Sequence, residues 1–209
     1  MKYSSATSFA AALSAFMRRE AEQRGQSIQR IRHEVAFDRV LARLLAVDSK
    51  AWLLKGGVAL EYRLPPAVSR TTVDVDLTID VTIMEEAHIA PFVSAAAEID
   101  LGDFFTMTVT ATPHGNLLDE LNVHRYKVRL DLMGKMFDAV ALDISVTDHV
   151  FGVAEILNSR PHLAFAGIDP LQIPAIPVEQ HLTEGGRPSR EFNRSYVVPT
   201  SRFFARISH

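Results

Sequence analysis

Asp74 and Asp76 alternate with valines in Thr72-Val73-Asp74-Val75-Asp76-Leu77, and a third aspartate, Asp143, sits in the apolar run Ala141-Leu142-Asp143-Ile144. Residues two apart on an extended chain share a face. A strand through this stretch therefore presents Thr72, Asp74, Asp76 and Thr78 on one side and Val73, Val75, Leu77 and Ile79 on the other. Carboxylates fixed on a strand whose far face is apolar are not explained by solvation. Three of them, converging from two strands, suit a hard divalent cation that takes oxygen ligands and keeps some of its waters. Nucleotidyl transfer needs such a site, with two magnesium ions, one activating an attacking hydroxyl and one holding a triphosphate.

A glycine pair strengthens this reading. Leu53-Leu54-Lys55-Gly56-Gly57 runs into Val58-Ala59-Leu60, and glycine lets backbone approach a phosphate and offer its N–H groups at the start of a helix. Gly56 and Gly57 are thus candidate nucleotide-binding residues. Arg70 and Thr72 join them: a guanidinium fork matches a phosphate or orients Asp74 or Asp76, and Thr72 shares the carboxylate face. Lys55, Lys127 and Lys135 read as surface lysines. No serine stands in a Gly-x-Ser-x-Gly elbow, the eight histidines lack metal-ligand spacing, and neither a P-loop nor a Gly-x-Gly-x-x-Gly is present.

These residues need elements to hold them. Ser8 to Arg24 has the apolar spacing of a helix, with Ser8 as N-cap and Gly25 as its stop, and Ser27 to Leu45 predicts a second helix. Both fit a lid or platform. Ala51 to Leu54 reads as a strand start, Val58 to Tyr62 as an apolar turn closed by Pro65-Pro66, and Thr71 to Val81 as the strand bearing the first two aspartates. Ile83 to Ile99 predicts a helix kinked or split at Pro91. Phe104 to Thr112 alternates as a strand before a turn at Pro113 to Asn116. Tyr126 to Leu132 and Phe137 to Val146 make a hairpin across Met133-Gly134-Lys135, with Asp143 inside its second arm. Beyond Arg160 four prolines space an apolar connection, Val178 to Glu184 begins like a helix, and residues 187–209 show no period.

Length and composition set the frame. The chain has 209 residues, 47% hydrophobic and 22% charged, which is ordinary for a folded domain. With no cysteine it has no disulfides or thiolate metal site. No run approaches the ~18 apolar residues of a membrane span, so a cytoplasmic protein without membrane partners is expected. The net charge of −3 gives no overall attraction to nucleic acid. The basic stretch from Arg18 to Arg43, interspersed with Glu20, Glu22, Glu34 and Asp38, reads as a solvated helix face laced with ion pairs, RNA contact being the alternative.

Leu54-Lys55-Gly56-Gly57, then Arg70-x-Thr72-x-Asp74-x-Asp76, then the strand aspartate Asp143 resemble the AbiEii/AbiGii nucleotidyltransferase toxins. That family includes the MenT toxins and falls within the DNA polymerase β-like superfamily. The likeness spans about Ser8 to Glu184, including Arg39-Val40-Leu41-Ala42-Arg43-Leu44. It implies an α/β (α+β) fold: a small mixed sheet flanked by helices, with residues 1–50 as N-terminal helices, 51–160 as the catalytic core and 161–209 as a proline-rich connection and shortened C-terminal lobe. It further implies two Mg2+ ions and a nucleoside triphosphate, Gly56 and Gly57 lining its phosphates, and Asp74, Asp76 and Asp143 as catalytic metal ligands. The implied acceptor is RNA, with the tRNA 3′ end as the example, so that extension blocks translation. A cognate antitoxin is the implied partner.

The chain departs from the family pattern after Pro177 to Glu184. Gly185-Gly186 replaces a lysine that contacts nucleotide, and a later Lys-Asp motif is not found, which implies impaired transfer unless Arg187 or Arg190 supplies the charge. Two other readings stay open: a catalytically inert remnant that binds antitoxin or nucleotide, and an enzyme that attaches AMP to protein.

Overall fold

In the computed structural model, residues 1–65, 72–112, 123–148 and 153–178 are described. Two long helices come first, α1 (Ala6–Arg24) and α2 (Ile28–Val47), followed by β1 (Leu53–Lys55), α3 (Gly56–Arg63) and β2 (Asp74–Asp80). Then follow α4 (Ile89–Glu98), β3 (Phe105–Ala111), β4 (Val123–Leu132), β5 (Lys135–Thr147), β6 (Glu155–Asn158) and β7 (Gln172–Ala175). The strands form one mixed sheet of seven in the order β3-β4-β5-β2-β1-β7-β6. β2 runs parallel to β5 and β1 to β7; the other neighbours are antiparallel.

One face of this sheet is apolar by alternation. Val75, Leu77 and Ile79 of β2, Val140, Leu142 and Ile144 of β5, Val128 and Leu130 of β4, and Phe105 and Met107 of β3 are all buried. Burial of side chains of this size is worth about 1.5–3 kcal/mol each, the main drive for the fold. α2 packs against β5 and α4, and α4 against β3. Phe9, Leu13 and Met17 of α1 complete the core with Ile31, Val35, Leu41 and Leu44 of α2.

Several local expectations change for physical reasons. α1 begins earlier than the apolar stripe suggests, because Ser5 is the N-cap: its Oγ accepts from the Ser8 N–H at 3.2 Å. Gly25 does end the helix, at φ +60°. Pro91 neither kinks nor splits a helix. A 3-10 turn covers Glu86–His88, and α4 starts at Ile89, so Pro91 lies in its first turn, where an N–H has no intrahelical partner to lose. The β4–β5 turn is the two residues Met133 and Gly134, both at positive φ (56° and 69°), the signature of a type I′ hairpin. The proline-spaced segment expected to be a connection contributes β7, which pairs with both β1 and β6. The Pro113 to Asn116 turn and residues 179–209 lie outside the described residues.

The basic stretch is not a solvated face throughout. Arg39 and Arg43 are buried. Arg43 donates to both Asp103 oxygens (2.9 and 3.2 Å), to the Phe105 carbonyl and to the Arg39 carbonyl, while Arg39 reaches Asp38 at 3.1 Å and Asp103 at 3.4 Å. A second cluster centres on buried Glu34, which is met by Arg24 at 2.8 Å, Arg160 at 3.2 Å, Arg30 at 3.3 Å and His162 at 3.2 Å. These pairs tie α1 and α2 to the segment after β6. Two histidines are engaged as well. His162 is buried, and His33 bridges Asp138 (3.0 Å) and the Val73 carbonyl (3.3 Å).

Candidate active site on the polar face of the sheet

The face of the sheet opposite the core carries the aspartates. β2 and β5 pair in parallel with Asp76 directly beside Asp143 and Asp74 beside Ala141. Neighbours in register point the same way, and Asp74 shares parity with Asp76, so all three carboxylates stand together on one side. All three are partly buried. The far side of the same strands, Val75, Leu77, Leu142 and Ile144, is fully packed. That packing holds the carboxylates on a rigid support.

β1 adds the glycine corner. Lys55, at its end, pairs in register with Asp76, and its ammonium acts to lower the Asp76 carboxyl. Lys55 is therefore part of the polar face and not an uninvolved surface lysine. Gly56 sits at φ +64°, and a Cβ built on it would lie 1.9 Å from Asp76 Oδ2. Only glycine admits the carboxylate there. The Gly57 N–H donates to the Asp76 carboxylate, and a Cβ at Gly57 would lie 2.5 Å from Thr72 Oγ1. Thr72 in turn donates its N–H to buried Glu61 at 3.2 Å and its hydroxyl to the Asp74 carbonyl at 3.3 Å. The glycine pair thus shapes the approach of α3 to the acidic strand. Arg70 falls outside the described residues.

The electrostatics follow from this crowding. Burial first, and then the neighbouring Asp143 carboxylate, push the Asp76 carboxyl above its ordinary range. The counterweight is a residue that sequence reasoning overlooked. Arg125 of β4 stands opposite Asp143, with its Nε donating to Oδ1 at 2.7 Å and its Nη2 to Oδ2. The hydrogen bonds and charge of Asp143, with Asp74 and Asp76 adding to them, raise the Arg125 guanidinium above its already high ordinary value.

Arg125 was hard to see for a geometric reason. A two-residue turn pairs Leu132 with Lys135, as observed, and that register carried along the hairpin would set Arg125 opposite Leu142, whose side chain faces the core. The ladder shifts by one residue between Leu130 and Asp131, a β-bulge, and so brings Arg125 to Asp143. The one available signal was the spacing Arg125-x-Lys127-x-Arg129, a basic row on one strand face.

The residues fit a hard divalent cation in their chemistry. They offer three carboxylates on one rigid face, one of them held above its ordinary range by burial first and then by the neighbouring Asp143 carboxylate. Among the described residues no three acidic or imidazole groups are gathered closely enough to hold an ion as they stand. Asp143 faces Arg125 with both oxygens. Among the described residues, no helix is long and apolar enough to cross a membrane.

Comparison with known proteins agrees with this architecture. The family described as "Nucleotidyl transferase AbiEii toxin, Type IV TA system" matches residues 39–184, which contain β1, α3, β2 and β5. Among solved structures the fold is similar to that of MenT4, a nucleotidyltransferase toxin from Mycobacterium tuberculosis H37Rv, with a TM-score of 0.56 and 19% identity. That likeness covers 82% of this chain and 56% of MenT4, so the chain spans little more than half of its structural relative. Comparison with curated proteins finds no match.

Proposed function

Because this chain belongs to the AbiEii nucleotidyltransferase toxin family, we propose that it transfers a nucleoside monophosphate from a nucleoside triphosphate to an RNA 3′ hydroxyl, with the tRNA 3′ end as the first acceptor to test. The observation that carries the reading is the in-register pairing of Asp76 with Asp143, with Asp74 on the same face beside the Lys55-Gly56-Gly57 corner.

In this reading Asp74, Asp76 and Asp143 would hold the divalent cations, with Mg2+ as the proposed ion. Bound there, such ions would supply charge neutralisation for the triphosphate and would make the acceptor hydroxyl more acidic. Asp143 helps to take the proton of that hydroxyl. The hydroxyl oxygen then bonds to the α-phosphorus as the α–β bridging bond breaks, and pyrophosphate leaves. Gly56 and Gly57 keep the backbone low beside Asp76 and leave room for phosphate oxygens. Lys55 lies next to the charge that develops there. Arg70 and Thr72 are assigned to the nucleotide side. The partner class is a cognate antitoxin that restrains the site.

The test is transfer of label from each of the four triphosphates to total tRNA and, in parallel, to the proteins of a cell extract. Wild type should label RNA in a Mg2+-dependent way, and Asp76→Ala should lower the rate by about two to three orders of magnitude. Label in protein would redirect the proposal to AMP attachment. Transfer that survives Asp76→Ala would remove the site assignment.

A further inference from the structure

The pairing of Arg125 with Asp143 is asymmetric. Asp143 is 13% exposed and built into the centre of the sheet, whereas the Arg125 side chain is 38% exposed on a flexible stem. The carboxylate is the fixed partner and the guanidinium the movable one. Its fork takes both carboxylate oxygens at once, leaving Asp143 poorly free to ligate anything else. Arg125 also sits on the face shared by Asp74 and Asp76, where a triphosphate must lie if the aspartates bind its metal ions.

We propose that Arg125 is an exchange residue. Without nucleotide it closes Asp143; when a triphosphate and its divalent cation enter together, it passes its fork to a phosphate oxygen pair and frees Asp143 for the cation. The inference rests on the nucleotidyl-transfer reading above and adds to it a mechanism for loading. The physics favours a swap. A guanidinium fork matches carboxylate and phosphate with the same geometry, and a divalent cation arriving at Asp143 repels the guanidinium while the polyphosphate attracts it. The consequence is coupling. The site binds the free cation weakly, binds it well with the triphosphate, and the enhancement is reciprocal. A merely structural cross-strand ion pair would stabilise the β4–β5 hairpin without linking the two ligands.

The experiment measures binding, not turnover. Mn2+ replaces Mg2+ and is titrated by electron paramagnetic resonance, alone and with the α,β-methylene analogue of each nucleoside triphosphate in turn. Wild type, Arg125→Ala, Arg125→Lys and Asp143→Asn are compared as full-length chains. Arg125→Ala should bind free Mn2+ about tenfold more tightly than wild type and bind the analogue about tenfold more weakly, so that the coupling falls below that of wild type. Arg125→Lys, which keeps the charge but loses the fork and serves if the alanine variant does not fold, should lie between them. Asp143→Asn should abolish the gain when combined with Arg125→Ala. Free-Mn2+ affinity in Arg125→Ala or Arg125→Lys equal to or below that of wild type overturns the exchange while leaving nucleotidyl transfer intact. Absence of Mn2+ binding in wild type, with every analogue, overturns the nucleotidyl-transfer reading itself.

Discussion

Gly56 and Gly25 have nearly the same backbone, φ +64° and +60°, yet opposite surroundings. Nothing lies within 4 Å of a Cβ at Gly25, whereas one at Gly56 would overlap the Asp76 carboxylate at 1.9 Å. Replacement of Gly25 by alanine should therefore cost only the left-handed backbone penalty, about 1–2 kcal/mol. Gly56→Ala should cost more and also displace Asp76. Denaturant unfolding of both variants, with labelled-nucleotide transfer measured in parallel, separates the two effects: transfer persists in Gly25→Ala and is lost in Gly56→Ala. Retained transfer in a folded Gly56→Ala protein would mean that the glycine corner does not position Asp76. At this scale much was legible in the chain. Asp74, Asp76 and Asp143 could be put on strands by alternation alone, and the structure sets them on one face of the sheet. Arg125 could not be found that way, because its face depends on a bulge that the turn sequence does not announce.

At the scale of elements, α2 is held by charge as well as by its apolar stripe. Arg43 is buried with its guanidinium on Asp103 and on the Phe105 carbonyl at 2.7 Å, which fastens the helix to the start of β3. Removing one member leaves the other charged and unpaired in the interior, so Asp103→Ala should lower stability by about 3–5 kcal/mol. A paired replacement, Arg43→Met with Asp103→Leu, should recover most of that loss. Urea midpoints of the single and double variants test this; equal losses would mean that the ion pair is incidental. The helices themselves were readable from their period, with Gly25 as the stop of α1. What the period could not reveal was that Arg39 and Arg43 point inward. Their partner Asp103 is 60 or more positions away, and a basic residue on a helix reads as solvated until such a partner is known.

For the whole molecule, Glu34 links the N-terminal helices to the sheet, and its ionisation should govern acid stability. Burial pushes its carboxyl up. The His162 hydrogen bond and the charges of His162, Arg160 and Arg24 outweigh that and bring it down to about 2 from an ordinary 4.5. A folded value below the unfolded one means stability that is present above about pH 4.5 and is lost as pH falls toward 2, about 3 kcal/mol if fully realised. Thermal melts between pH 6 and pH 2 should show a drop that Glu34→Gln flattens, from a lower starting Tm. A second whole-molecule measurement tests the proposed function. A triphosphate with Mg2+ at about a hundred times its Kd should stabilise the protein by about 2.7 kcal/mol, and Asp74→Ala should abolish that gain.

The sequence by itself determined that α1 and α2 are helical, that β2 and the β4–β5 hairpin are extended and that Asp74 and Asp76 share a face, because those properties follow from periods of two and 3.6 along a local stretch. It also carried the glycine pair, of which Gly56 takes a positive φ that is a property of one residue. Only the tertiary structure decided which faces meet. That β2 lies parallel to β5 with Asp76 beside Asp143, that β7 closes on β1, that Arg125 and not a residue of the core side comes opposite Asp143, and that Arg43 finds Asp103 are all pairings across tens of residues. Such pairings are fixed by packing and ladder register over the whole sheet, and a shift of one residue reverses every face.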